Sequence, residues 1–246
     1  VGRALCRHLH DLGHQVVRWN RDRVPIDDYG AMHGWLSRTA PDAVFHLAIA
    51  SEPTGRADEA HVVNVHWVHE LAWALRQLGI PWVFTSTAMV FRDDHDGPHR
   101  VDTVPSATEC YGGQKAEAEA VARRQDPSVR IARLGWQIGE DDVGNQMVAW
   151  LHGHHGPIHA RTDWKPATSF LDDTAAALVG LLSQPPGTYH VDGNDQGWSF
   201  HQIVEALRHR HGADWEVLPT DGPGWDQRLV EHHAPCRSIS LRLNGL

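Results

Sequence analysis

The run Val83-Phe84-Thr85-Ser86-Thr87-Ala88-Met89-Val90-Phe91, followed after a polar loop by Tyr111-Gly112-Gly113-Gln114-Lys115, decides how the rest of the chain is read. Its first part is an apolar strand that ends in hydroxyl side chains. Its last part sets a tyrosine one helical turn before a lysine, so both side chains share a helix face. A phenol beside an ammonium is a proton donor suited to neutral pH, because the positive charge favours phenolate and lowers the tyrosine pKa. The Thr87 hydroxyl is placed to hold the oxygen that takes up the proton. These are the parts for reducing a carbonyl or, in reverse, for oxidising an alcohol.

Working outward, helical and strand patterns alternate. Upstream, Val1, Leu5, Leu9 and Leu12 form a helical stripe that Gly13 ends. Residues 14–19 (HQVVRW) read as a short strand, 20–23 as a polar turn and 29–39 as a second helix. Residues 43–50 (AVFHLAIA) read as a buried strand, 57–78 as a long helix capped by Gly79, and 81–87 as the next strand. Downstream come a helix over 111–124 and a strand over 129–134. Such alternation predicts a parallel sheet with helices on both faces. After Gly135 the rhythm loosens. Helices are expected over 145–152, 170–182 and from Ser199 to about His209, with short strands at 188–191 and 215–218. The loop over 92–109 is the longest without periodicity and suits a lid or substrate loop.

The composition bounds the function. The chain has 246 residues with 41% hydrophobic and 22% charged side chains, ordinary values for a soluble globular protein. A formal net charge of -9 argues against nucleic acid and anionic membrane as partners. No apolar run approaches the roughly 20 residues of a membrane span, and no signal peptide is visible. The three cysteines, Cys6, Cys110 and Cys236, are far apart and form neither a disulfide framework nor a zinc motif, so a reducing cytoplasm is expected. Twenty histidines invite a metal reading, but the densest group, His152, His154, His155 and nearby His159, has no cysteine or carboxylate at ligand spacing. No metal is expected.

Several ordered segments together resemble the extended short-chain dehydrogenase/reductase superfamily, and within it the branch of the dTDP-4-dehydrorhamnose reductases. "TSTAMVF" is similar to that branch's Ser-Thr-Asp-Tyr-Val-Phe segment. Gly97-Pro98, Asp102, Tyr111 and Lys115 match the run that follows it, and "RLGWQIG", "TSFLDDTAAAL" and "GTYHVDG" match later segments. The resemblance implies an α/β, Rossmann-like doubly wound parallel sheet over 1–135 and a smaller, interleaved C-terminal substrate-binding region over 136–246. It implies Thr87 as the catalytic hydroxyl, Tyr111 as the acid and Lys115 as the residue that orients the ribose. Leu47, Ala48 and Ile49 fall on the strand end that passes the cofactor. Trp136 falls on an aromatic near the bound nucleotide sugar, where Thr87, Ala88 and Tyr111 would also line the substrate. Asn64 falls on a position the superfamily often fills with asparagine, and its reading here is a buried hydrogen bond tying helix to strand.

The departures from the pattern carry information too. Of the Gly-x-x-Gly-x-x-Gly fingerprint only Gly2 remains, where the last glycine would sit and the pyrophosphate would meet the helix N-terminus. The resemblance therefore implies a strand and loop of roughly a dozen residues ahead of Val1 and a continuation past Leu246. Without that strand, two others lose their shared neighbour. Ala88 and Met89 replace an aspartate and a tyrosine, Gln114 replaces the usual serine, and Pro25 stands where an aspartate near adenine is expected, with Asp27 close by. In the turn after residues 14–19, Asn20, Arg21 and Arg23 favour NADP(H) over NAD(H), while Asp22 keeps NAD(H) open.

The expected activity is NAD(P)H-dependent reduction of a keto group on a small molecule, a nucleotide sugar by the resemblance. A nucleotide-sugar epimerase of the same superfamily and a non-catalytic NADP-binding regulatory subunit stand as alternatives. The oligomeric state is open, a homodimer included.

Overall fold

A computed structural model describes residues 1–50, 55, 57–92, 97–108, 110–139, 146–231 and 234–244. The first half is α1 (Gly2–Asp11), α2 (Tyr29–Thr39), β1 (Val44–His46), α3 (Glu59–His61), α4 (Trp67–Leu78), β2 (Trp82–Thr87), α5 (Cys110–Gln125) and β3 (Arg130–Leu134). The second half is β4 (Trp136–Ile138), α6 (Met147–Gly153), β5 (Ile158–Arg161), β6 (Trp164–Lys165), β7 (Thr168–Phe170), α7 (Leu171–Leu181), β8 (Gly187–Val191), α8 (Phe200–His211), β9 (Val217–Thr220), β10 (Trp225–Asp226) and α9 (Ile239–Leu243).

The main sheet is parallel, in the order β1-β2-β3-β8. Its register sets Phe84 beside His46 and Ile131, and Leu134 beside Thr87 and Val191. Side chains alternate across it, as the period of two requires. Trp82, Phe84 and Ile131 pack with Leu36, Val68, Leu71, Leu75, Ala118 and Ala122 of α2, α4 and α5. Val83, Ala132, Leu134 and Val191 pack with Ala4 and Leu5 of α1 and Ala175, Leu178 and Leu181 of α7 on the other face. That is the doubly wound arrangement. Three two-stranded parallel pairs, β4-β7, β5-β9 and β6-β10, together with α6, α8 and α9, build the smaller region around Ile138, Leu151, Phe170, Phe200, Ile203 and Ile239.

Helix ends follow their local chemistry. The Asp28 carboxylate accepts from the Ala31 amide at the start of α2. Ser199 and Gln202 form a reciprocal capping box at the start of α8. Gly79 closes α4 in the left-handed region, φ 66°.

Five expectations are corrected. The buried strand expected over 43–50 is only Val44–His46, and residues 47–50 are irregular and not fully buried. Residues 14–19 form no strand. Strand pairing needs a partner's backbone groups, and among the described residues none lies beside this segment or along the outer edge of β1. Trp19 instead donates from Nε1 to the Val24 carbonyl (2.9 Å) and packs edge-on against Trp35 and Trp67. The long helix over 57–78 is α3 and α4 joined by a π-helical turn, Val62–His66. Phe170 belongs to β7 rather than to the helix after it. The strand expected over 215–218 starts later, at Val217. Part of the 92–109 loop and Asn145 lie outside the described residues.

Candidate active site

The proposed functional groups collect at the carboxyl ends of the parallel strands, where such sheets bind ligands. Leu47, Ala48 and Ile49 follow β1, Thr87 closes β2, and Trp136 opens β4 just past β3. Tyr111 and Lys115 lie on the first turns of α5.

Two glycines fix how α5 meets β2. A Cβ on Gly112 would stand 2.1 Å from the Met89 carbonyl oxygen, and one on Gly113 would stand 2.6 Å from the Thr108 carbonyl carbon. The peptide just past Thr87 is thus seated against the helix turn that carries Tyr111. Thr87 is held in turn by its own short 3-10 turn, Ala88–Val90, with its Oγ1 accepting from the Met89 amide (3.2 Å). Substituting Gly112 with Ala is expected to destabilise the fold by roughly 1–3 kcal/mol and to cut turnover by about tenfold or more, because the hydroxyl and phenol are displaced relative to each other. Gly180→Ala in α7, where a Cβ meets nothing within 4 Å, is the control for melting temperature and rate and should change neither adversely.

Lys115 is only 1% exposed, and among the described residues its Nζ has no hydrogen-bond partner. The ammonium lies 4.2 Å from the centre of the Phe84 ring. Burial pushes its pKa down to about 7, with Glu119 one turn further along pulling it back up in part. Tyr111 departs from the sequence reading. Its pKa is not lowered by the lysine but raised to about 12 by burial. Tyr111 is partly buried, and the loss of water around the phenol sets the direction of its shift.

A polar network missed in the sequence stands behind these groups. Glu119, fully buried, receives a two-pronged bond from Arg133 of β3, Nε to Oε1 at 2.9 Å and Nη2 to Oε2 at 2.8 Å. Burial alone would raise the Glu119 carboxyl, but the Arg133 bonds and charge outweigh it and hold the carboxyl below its ordinary value. Arg133 also lies 5.0 Å from the centre of the Phe91 ring, and its Nη1 donates to the Val101 carbonyl (3.4 Å) and to His190 Nε2 (3.3 Å). The network joins α5, β3, β8 and the loop over 97–103. An arginine inside the apolar run IARL, and a glutamate four residues after Lys115, were the signals for it.

The remaining candidates are placed as follows. Asn20 Oδ1 accepts from the Asp22 and Arg23 amides, an Asx turn that shapes the charged corner. The Arg21 guanidinium lies 5.4 Å from the centre of the Trp67 ring. Gly2 opens α1, and a Cβ there would meet nothing within 4 Å. The Trp136 ring packs against Trp150 (5.6 Å) and Phe200 (5.9 Å) in the aromatic wall of the smaller region, so it has a packing role whatever else it does. His152 packs edge-on against Trp215, and His154 bonds the Pro157 carbonyl. Among the described residues no three side chains form a metal-binding group, and no helix is long and apolar enough to cross a membrane.

The chain is thus a doubly wound parallel sheet with its candidate site at the carboxyl ends of the strands. The chain belongs to the RmlD substrate binding domain family, which it matches over residues 1–224. It is similar to the spore coat polysaccharide biosynthesis protein SpsK of Bacillus subtilis, with 25% identity over 224 residues, 89% of this chain and 78% of that protein. It is also similar to the dTDP-4-dehydrorhamnose reductase of Burkholderia thailandensis, with 27% identity over 247 residues, 94% and 80% of the two chains. Among solved structures, the dTDP-4-dehydrorhamnose reductase of Bacillus anthracis in complex with NADP shares the fold, with a TM-score of 0.79, 20% identity, and coverage of 100% of this chain and 89% of that one.

Proposed function

We propose that this chain reduces the keto group of a nucleotide sugar with a nicotinamide dinucleotide, NADP(H) in preference to NAD(H). The observation that carries the reading is the buried, unbonded ammonium of Lys115 one helical turn from Tyr111. A buried cation without a hydrogen-bond partner is costly, and the vicinal hydroxyls of a ribose would satisfy it. The residues therefore fit the dinucleotide. The nucleotide-sugar part rests on the activity named for the Burkholderia relative.

The dinucleotide, when bound, would supply hydride. The chain's own residues do the rest. Lys115 binds the adjoining ribose and, once paired with it, keeps its proton. Thr87 Oγ1 hydrogen-bonds the carbonyl oxygen and holds it towards Tyr111, whose phenol donates the proton as negative charge develops there. Ala88 lines the substrate beside them without offering a charge. Leu47, Ala48 and Ile49 let the dinucleotide lie close to the strand end. Gly2 leaves the N-terminus of α1 open to a phosphate. The corner of Asn20, Arg21 and Arg23 would hold the adenosine ribose, its two arginines favouring a 2′-phosphate. Trp136 offers a flat apolar face to the sugar nucleotide. Free cysteines throughout the described chain agree with a cytoplasmic setting.

Thermal shift tests the reading. At about 100 times its Kd, NADP should raise the melting temperature by roughly 5–10 °C, NAD at the same concentration by less, and NADPH should be consumed with 4-keto nucleotide sugars. If neither dinucleotide moves the transition, the reading fails. Binding of NADP with no oxidation of NADPH across a panel of ketones would assign a binding subunit instead.

A further inference from the structure

Two residues that the sequence pattern left unconnected touch in the structure. Asn64 lies at the centre of the π-helical turn between α3 and α4 and is 2% exposed. Its Oδ1 accepts from the Ala50 amide (3.1 Å), and its Nδ2 donates to Gln114 Oε1 (2.8 Å). The orientation of the Asn64 amide is fixed by chemistry. A backbone amide can only donate, so the oxygen must face Ala50 and the nitrogen must face Gln114. Ala50 follows directly on Leu47, Ala48 and Ile49. Gln114 lies between Tyr111 and Lys115 on α5, next to the lysine. One side chain thus bridges the segment proposed to pass the dinucleotide and the helix proposed to carry the proton donor.

The π-helical turn has the same meaning. It gives up the regular α-helical bonding pattern, and turns of this kind concentrate at functional sites. Here the irregular turn carries a side chain that bonds both segments. Gln114 stands where the resemblance expects a serine. A serine hydroxyl in its place is several bonds shorter than the glutamine amide and does not extend to where Oε1 now accepts from Asn64.

We propose that Gln114 is a positioning residue: through Asn64 it holds residues 47–50 and the first turns of α5 at the spacing that receives the dinucleotide. The inference rests on the dinucleotide reading given above. Without the bond, Asn64 Nδ2 is buried and unpaired, the strand end is freed, and the dinucleotide has to order it on binding. The loss then falls on cofactor affinity rather than on the chemical step.

Gln114→Leu keeps the apolar stem and removes the acceptor. Gln114→Glu keeps an acceptor for Asn64 Nδ2. The Kd for NADPH, measured by direct fluorescence titration, should rise by about tenfold in Gln114→Leu, the equivalent of one hydrogen bond. It should stay within about threefold of the parent in Gln114→Glu. At saturating NADPH, kcat should fall by less than about threefold in both. Hydrogen exchange at the Ala50 amide should be faster in Gln114→Leu and unchanged in Gln114→Glu. Equal weakening by Leu and Glu, or a lowered melting temperature with Kd and exchange unchanged, overturns the proposal and leaves the pair a packing contact. Failure of the parent protein to bind NADPH is a different result and strikes the dinucleotide reading itself.

Discussion

Tyr111→Phe is expected to lower turnover of the keto substrate by about three orders of magnitude while leaving the protein folded and able to bind NADPH. The substitution removes one oxygen, that of the group proposed to deliver a proton to the substrate oxygen. Burial holds the phenol at about 12, so it is fully protonated at neutral pH and the donor form is present before any ligand arrives. Single-turnover measurement of NADPH oxidation separates the loss of chemistry from a loss of binding. Undiminished turnover in the variant removes Tyr111 from the mechanism.

The second large effect is an opposed pair. Lys115→Met should reduce kcat/KM by about two orders of magnitude or more and yet raise the melting temperature of the ligand-free protein. A buried, unbonded ammonium beside an aromatic ring is poorly compensated, and a methionine of similar shape is content there. The pH dependence carries the sign. With a folded value of about 7 against the ordinary 10.5, the unfolded chain holds a proton between those limits that the folded chain does not. Wild-type stability therefore rises with pH across that window, the variant lacks this slope, and its advantage is greatest at or below about pH 7. Calorimetry at several pH values without dinucleotide checks this. The kcat/KM of the wild type should fall as pH rises through about 7, because the free protein loses the ammonium that binds the ribose. Saturating NADP should reverse the stability order of the two proteins. A variant that melts below the wild type at every pH contradicts the account of Lys115.

How far the sequence reached is clear from particular residues. The Tyr111–Lys115 spacing was legible because helix geometry converts four residues into one face. The sheet was legible from strands 81–87 and 129–134, which are buried on both faces and so lack polar alternation. The segment HQVVRW shows the limit of that method. Its pattern suits a strand, but a strand exists only as half of a pair, and pairing is not a local property. Of the three short parallel pairs in the smaller region only β9 was anticipated, as the strand over 215–218; the others are too brief for any periodicity. The Tyr111 pKa was misjudged because spacing reports neighbours and not burial. Asn64 was read as a tie between helix and strand; it does make a buried bond, but its partner Ala50 lies four residues past the end of β1. Its second bond, to Gln114 fifty residues away in sequence, could be seen only in three dimensions.

β8 has a consequence for how the molecule holds together. It comes from the part of the chain beyond residue 136 yet supplies the edge of the main sheet, paired with β3 over five residues, and α7 just before it packs on α1. The smaller region is therefore no passenger on a self-sufficient scaffold. Cutting the chain near Gly135 would strip the larger body of a flank and a supporting helix and divide the cluster that α1, α7 and the sheet share, so the two parts are expected to unfold together.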